Sequence, residues 1–247
     1  HLPLRRRAHG RRPSACLRRP ATMNLEQFHH SIRAARDVLR HEGASGAIVI
    51  MGSQSILASY SATVLDSRPM MSAEVDIMPI AADAAEVERL SDQLDGSLGQ
   101  EPRFHESFGF HVDGISINTS VLEGSWFDRL IPEVEQRSGA TGRCLDPHDL
   151  AAAKLIAGRA KDIEFVDTLV ASRLIDPHTV RELLLVISDV RSDRALEHLD
   201  RLAAHGLPES QRHRWHANRT QAIADRRART TEESPAPALK LISHRRE

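Results

Sequence analysis

Three consecutive β-branched residues, Ile48-Val49-Ile50, run through Met51 into Gly52-Ser53-Gln54-Ser55. A short apolar run without alternation reads as a buried strand, and the glycine and serines behind it read as a tight turn opening a helix at Ile56, Leu57 and Ala58. Much of the remaining sequence has to supply the cover for that strand. Before it, Leu25, Phe28, Ile32, Ala35 and Leu39 recur every three or four residues, which predicts a helix over 24–42 stopped by Gly43. After it, Glu74-Val75-Asp76-Ile77-Met78-Pro79-Ile80 alternates acid with apolar and predicts a second strand. Ala85, Val87, Leu90, Leu94 and Leu98 then predict a helix over 83–98. The alternation from Phe108 to Ile117 predicts more strand, bent into a hairpin if Asp113-Gly114 is a turn. Trp126 to Val134 reads as a short amphipathic helix, with Trp126 as a packing residue.

The character changes near residue 145. Asp146-Pro147-His148-Asp149 and Asp176-Pro177-His178-Thr179 both place a capping acid before a proline at the first helical position. Helices near 147–159, 161–173, 178–187 and 190–204 follow, with no convincing strand. The expected organisation is α+β: a small mixed sheet with flanking helices over 23–140, then an all-helical domain over 145–205. Residues 206–247 read as a polar helix and a disordered tail. Within that tail His213 and His216 flank Trp215 in an Arg-rich stretch that reads as a solvated terminal helix.

Charge adds a second division. The formal net charge is −1, yet the first 22 residues hold seven arginines and no acid, which leaves −8 for the rest. His1 to Thr22 reads as a disordered extension ahead of Met23, or as a basic arm for nucleic acid. No apolar run approaches the roughly 20 residues that span a bilayer, and the two cysteines, Cys16 and Cys144, form no metal-ligand or disulfide pattern. The expected setting is the cytoplasm, without a membrane. Fourteen histidines are scattered, and His29, His30, His105, His111 and His148 show no ligand spacing.

The chemistry lies in the strand and turn segments. A Gly-Ser turn between strand and helix offers N–H groups and a hydroxyl to an anion. Glu74 and Asp76, two apart, share one face of their strand. Such a pair suits a hard divalent cation, Mg²⁺ or Mn²⁺, although the same spacing also fits the solvent face of an edge strand. A phosphate cradle beside a metal-holding pair points to phosphoryl or nucleotidyl transfer.

The segments IVIMGSQSIL and SAEVDIMPI resemble the glycine-serine turn and paired-acid strand of the polymerase-β-like nucleotidyltransferase superfamily. The stretch DPHDLAAAKLIAGRAKDIEFVDTLVASRLID is similar to the helical region of its minimal, toxin-antitoxin-associated branch, which includes abortive-infection type II toxins, and in particular to an uncharacterised bacterial family of that branch. The resemblance covers about residues 24–190. It implies that Gly52 and Ser53 hold the phosphates of a nucleoside triphosphate, with Ser55 in support. Glu74 and Asp76 would bind the metal, Glu74 standing where Asp is commoner. Lys154 would contact the triphosphate, aided by Lys161 and supported by Asp162; the two lysines share a face if their helix is continuous. A third carboxylate is expected on a following strand, as ligand or base, and Asp113 is the candidate, with Ser116 or Asn118 as its alternatives. An inserted loop carrying Asp66, Arg68 and Pro69 would pass near the pocket as a lid.

The implied reaction moves a nucleoside monophosphate to an acceptor hydroxyl, on tRNA or on protein, and the implied partner is an antitoxin. The alternative is a catalytically silent nucleotidyltransferase fold that binds a partner. Geometry discriminates between the two: the enzyme requires Asp113 to approach the Glu74/Asp76 face.

Overall fold

The computed structural model describes residues 23–60, 72–100, 103–134, 141–213 and Trp215. The arginine-rich extension, the loop with Asp66, Arg68 and Pro69, and the tail beyond Trp215 lie outside the described residues.

Helix α1 (Leu25–His41) starts at a capping box: the Asn24 carboxamide accepts from the Gln27 N–H, and the Gln27 side chain accepts from the Asn24 N–H. Phe28, Ile32, Ala35 and Leu39 form its buried stripe. Strand β1 (Ile48–Ile50) is buried throughout, and the sheet order explains why. With β2 (Glu74–Pro79), β3 (His111–Gly114), β4 (Ile131–Val134) and β5 (Thr141–Cys144), the sheet runs β3-β2-β1-β5-β4, so the all-apolar strand is the central one. β1 pairs antiparallel with β2 and parallel with β5. β2 pairs parallel with β3, and β4 antiparallel with β5, which makes the sheet mixed.

Helix α2 (Ala84–Leu98), capped by Asp83, packs with α1 against β2 and β3 through Val87, Leu90, Leu94 and Leu98. Val75 and Ile77 are fully buried. Strand alternation therefore turns Glu74 and Asp76 to the opposite face. β2 lies between β3 and β1, so it is not an edge strand, and the solvated-edge alternative for its acids falls.

Four local expectations are corrected. The segment after Gly52 is a 3₁₀ helix over Ser53–Ala58. A short helix, α3 (Arg103–Phe108), precedes β3, and Asp113-Gly114 makes no hairpin turn because both residues belong to that strand. A Cβ on Gly114 would lie 2.0 Å from the Ser91 carbonyl oxygen of α2, so glycine serves close strand–helix approach here. Trp126–Arg129 is a single 3₁₀ turn that leads into β4, where Pro132 is tolerated on an edge strand.

β5 leads directly into the helical half, the Leu145 N–H donating to the Ile50 carbonyl 2.9 Å away. Helices α4 (Pro147–Ala157), α5 (Ala160–Ala171), α6 (Pro177–Val186) and α7 (Ser192–Gly206) follow. α4 touches the other three and buries Leu150, Ala151, Ala152, Leu155 and Ile156. The fourth correction concerns Trp215, which is fully buried rather than solvated: the Arg181 guanidinium lies 3.3 Å from its ring centroid and donates to its carbonyl. One apolar core runs through sheet and helices alike. Among the described residues no helix is long and apolar enough to cross a membrane.

Candidate active site

Register builds the site. Parallel pairing sets Asp76 opposite Asp113 and Glu74 opposite His111 on adjacent strands. Side chains directly opposite in a ladder are close neighbours on the same face, so three carboxylates and an imidazole gather on the sheet face turned away from α1 and α2.

Like charges placed together and drawn from water resist ionisation. Burial, with Glu74 and Asp113 adding to it, pushes the Asp76 carboxyl up to about 6, while Lys154 and Lys161 pull the other way. Asp113 is raised as well, by burial first, with His111 opposing and Glu74 and Asp95 adding. The His111 Nε2 stands 3.4 Å from Asp113 Oδ1 and 4.0 Å from Glu74 Oε2. Donor atoms of Glu74, His111 and Asp113 all lie within 4.8 Å of one another. This donor set fits a divalent cation: oxygen ligands predominate, and positive charge would offset the burial and the repulsion that lift Asp76 and Asp113.

The turn after β1 closes on these acids. A Cβ on Gly52 would sit 1.7 Å from Asp76 Oδ2, so any larger residue must displace the carboxylate. The Met51 N–H donates to the Asp76 carbonyl at 3.0 Å, which fixes turn and strand together. Ser53 Oγ lies 3.5 Å from Ser72 Oγ, and Gln54 Nε2 donates to the Ser72 carbonyl at 2.7 Å. Ser55 is fully buried and its hydroxyl has no hydrogen-bond partner among the described residues. At six residues the 3₁₀ segment carries little aligned dipole, so any pull on an anion comes from local N–H and hydroxyl groups.

Positive charge comes from the helical half. Helix α4 ends at Gly158, whose φ of 67° lies in the left-handed region that ends helices. Lys154 and Lys161 therefore sit on two helices, so the condition of a continuous helix for their shared face is not met, yet both act on Asp76. Lys154 Nζ donates to Asp162 Oδ1 at 3.2 Å and lies 4.9 Å from the Phe165 ring centroid. Arg159 donates to both oxygens of Asp162, with Nε 2.5 Å from Oδ2. Burial pushes the Asp162 carboxyl up, but its bonds to Arg159 and Lys154 together outweigh that and hold it below the usual range. It thus anchors two cations, and Arg159 also feels Asp76 and Glu74.

At its other end α4 is clamped by a second network. Arg129 donates from Nε and Nη2 to the two oxygens of Asp149, both at 2.7 Å, and contacts Ser125 and Glu123. His148 bridges two helix starts, its Nδ1 3.0 Å from Asp146 and its Nε2 accepting from the Asp176 N–H.

Ser116 and Asn118 lie beyond β3, at and within a 3₁₀ turn, whereas Asp113 is the residue opposite Asp76. Sequence spacing passed over His111. The signal available for it was the H-x-D pattern of His111 and Asp113, which puts both on one face of β3.

Comparison with curated proteins and with solved structures gives no match. A family model does match, over residues 26–204, a span that holds the turn, both acid-bearing strands and helices α4 to α6 entire. By that match the chain belongs to the family described as nucleotidyltransferase of unknown function, DUF6036.

Proposed function

We propose that the chain transfers a nucleoside monophosphate from a nucleoside triphosphate to an acceptor hydroxyl, with Mg²⁺ or Mn²⁺ held by Glu74, Asp76 and Asp113. The observation that carries this reading is the pairing of Asp76 with Asp113 across adjacent strands, beside a glycine turn with no room for a side chain. A cation held by these carboxylates would supply positive charge that offsets the charge of the reacting phosphate. The chain's own groups do the remainder. Gly52 and Ser53 hold the β- and γ-phosphates, with Ser55 packed in support. Lys154 and Lys161 offset triphosphate charge, and Asp162 with Arg159 fixes Lys154 for that work. The acceptor oxygen bonds to the α-phosphorus as the bond to the bridging oxygen breaks and pyrophosphate departs. The acceptor's proton passes to a carboxylate oxygen of Asp113, which stands opposite Asp76 on the next strand.

Resemblance to the toxin-antitoxin branch favours a tRNA 3′ end or a protein side-chain hydroxyl as acceptor, and a cognate antitoxin as partner. The test is incorporation of label from each α-³²P nucleoside triphosphate, with Mg²⁺ or Mn²⁺, into total tRNA and protein. Label on one acceptor that vanishes in Asp76→Ala is the expected result and names the substrate. The absence of Asp76-dependent label with every nucleotide would overturn the reading in favour of a silent fold that binds a partner.

A further inference from the structure

We infer that His111 is a nitrogen ligand to the divalent cation, making the centre a mixed carboxylate–imidazole site that prefers Mn²⁺ to Mg²⁺. The inference rests on the proposed function only in placing a cation at these acids.

The His111 side chain is 9% exposed, and its Nε2 faces Asp113 at 3.4 Å and Glu74 at 4.0 Å. Its Nδ1 has no hydrogen-bond partner among the described residues, and its other flank meets the His105 ring, edge to face, at 5.1 Å. The polar contacts of this buried ring therefore converge on the two carboxylates. Metal–ligand bonds of about 2.1 Å put ligand atoms about 3.0 Å apart when cis and about 4.2 Å apart when trans. Both distances from Nε2 fall within that interval. Backbone register supports the arrangement: His111 pairs with Glu74 as Asp113 pairs with Asp76, so the β2–β3 ladder keeps the root of the ring beside the acids.

Imidazole in the donor set has a chemical consequence. Mg²⁺ takes oxygen ligands in a small, strict octahedron, whereas imidazole nitrogen favours transition metals. Mn²⁺ accepts carboxylate oxygens as Mg²⁺ does and tolerates a nitrogen ligand better, so Glu74, Asp113 and His111 together favour it over Mg²⁺.

The experiment is electron paramagnetic resonance of Mn²⁺ added to the untagged 247-residue chain, with pulsed detection of ¹⁴N coupling, on wild type and His111→Gln. Expected are bound Mn²⁺ with ¹⁴N modulation in the wild type, loss of that modulation in His111→Gln, and at least about a tenfold fall in the ratio of Mn²⁺ to Mg²⁺ affinity. Thermal melts verify that the variant is folded, and ¹⁵N-histidine labelling of the wild type provides a readout needing no substitution, since the coupling must change isotope. Bound manganese without ¹⁴N coupling, coupling that survives His111→Gln, or no Mn²⁺ binding at all would overturn the inference. Nitrogen-coupled Mn²⁺ without Asp76-dependent label would sink the proposed function and leave this inference standing. Label with bound Mn²⁺ that lacks ¹⁴N coupling would do the reverse.

Discussion

Asp76 is an acid that the fold resists ionising. Its folded pKa of about 6 exceeds the unfolded value of 3.8, so the folded chain binds the extra proton between those limits. The stability this group contributes is therefore fully present below about pH 4 and is lost as pH rises through about 6. At 1.36 kcal/mol per unit, the loss is up to about 3 kcal/mol. Asp76→Asn should recover much of it at pH 7 while abolishing transfer. Urea unfolding of both proteins from pH 4 to 7 checks this; parallel pH profiles would refute it. Added Mn²⁺ should raise the melting temperature of the wild type by more than that of Asp76→Asn, which keeps Glu74, His111 and Asp113 but lacks one carboxylate. Gly52→Ala makes the companion case, because its Cβ must push Asp76 aside. A displacement of about 1 Å at a reacting centre can cost roughly 100-fold, and single-turnover labelling should show a loss of that order. Legibility divides along the same residues. Glu74 and Asp76 could be paired from sequence because strand alternation is local. The approach of Asp113 and His111 depends on register between strands more than 30 residues apart, which no local pattern encodes.

At the level of elements, the helices were readable because caps and apolar periods are written within each of them. Asp146-Pro147 and Asp176-Pro177 mark their helix starts directly, each aspartate side chain accepting from the N–H two residues on. β4 and β5 were not readable. Each has four residues, and Pro132 in one and Gly142 with Arg143 in the other mask any strand signal. Gly142 fits by packing, since a Cβ there would come within 3.1 Å of the Ile50 side chain in β1. The break at Gly158 is a different kind of device, turning the chain so that Arg159 and Lys154 reach Asp162 from two helices. Gly158→Ala would hold an L-residue at a φ of 67°, at a cost of about 1 kcal/mol or more. Thermal unfolding should register that cost. Labelling should also slow if the turn sets Lys154, and unchanged kinetics would separate the turn from the site.

Across the whole molecule, sheet and helices are joined by polar clamps as well as by the shared core. Asp149 is almost wholly buried, and Arg129 is the cation that neutralises it. Arg129→Met strands that carboxylate and should destabilise the protein by about 3 kcal/mol, whereas Arg129→Met with Asp149→Leu should return much of the loss. Calorimetry on the two variants decides between them, since equal melting temperatures would contradict the clamp. A Tyr60 hydroxyl donating to the Leu174 carbonyl makes a second link, from the turn segment to the loop after α5. With so much shared, melting of the two halves should coincide, and the chain carries its own means of watching it. Its two tryptophans are both buried, Trp126 beside the sheet and Trp215 against Arg181 in the helical half. Each is thus a native fluorophore assigned to one half. Trp126→Phe leaves emission that reports on the helices alone, and Trp215→Phe leaves emission that reports on the sheet, so two dark-field substitutions turn one protein into a pair of region-specific optical probes.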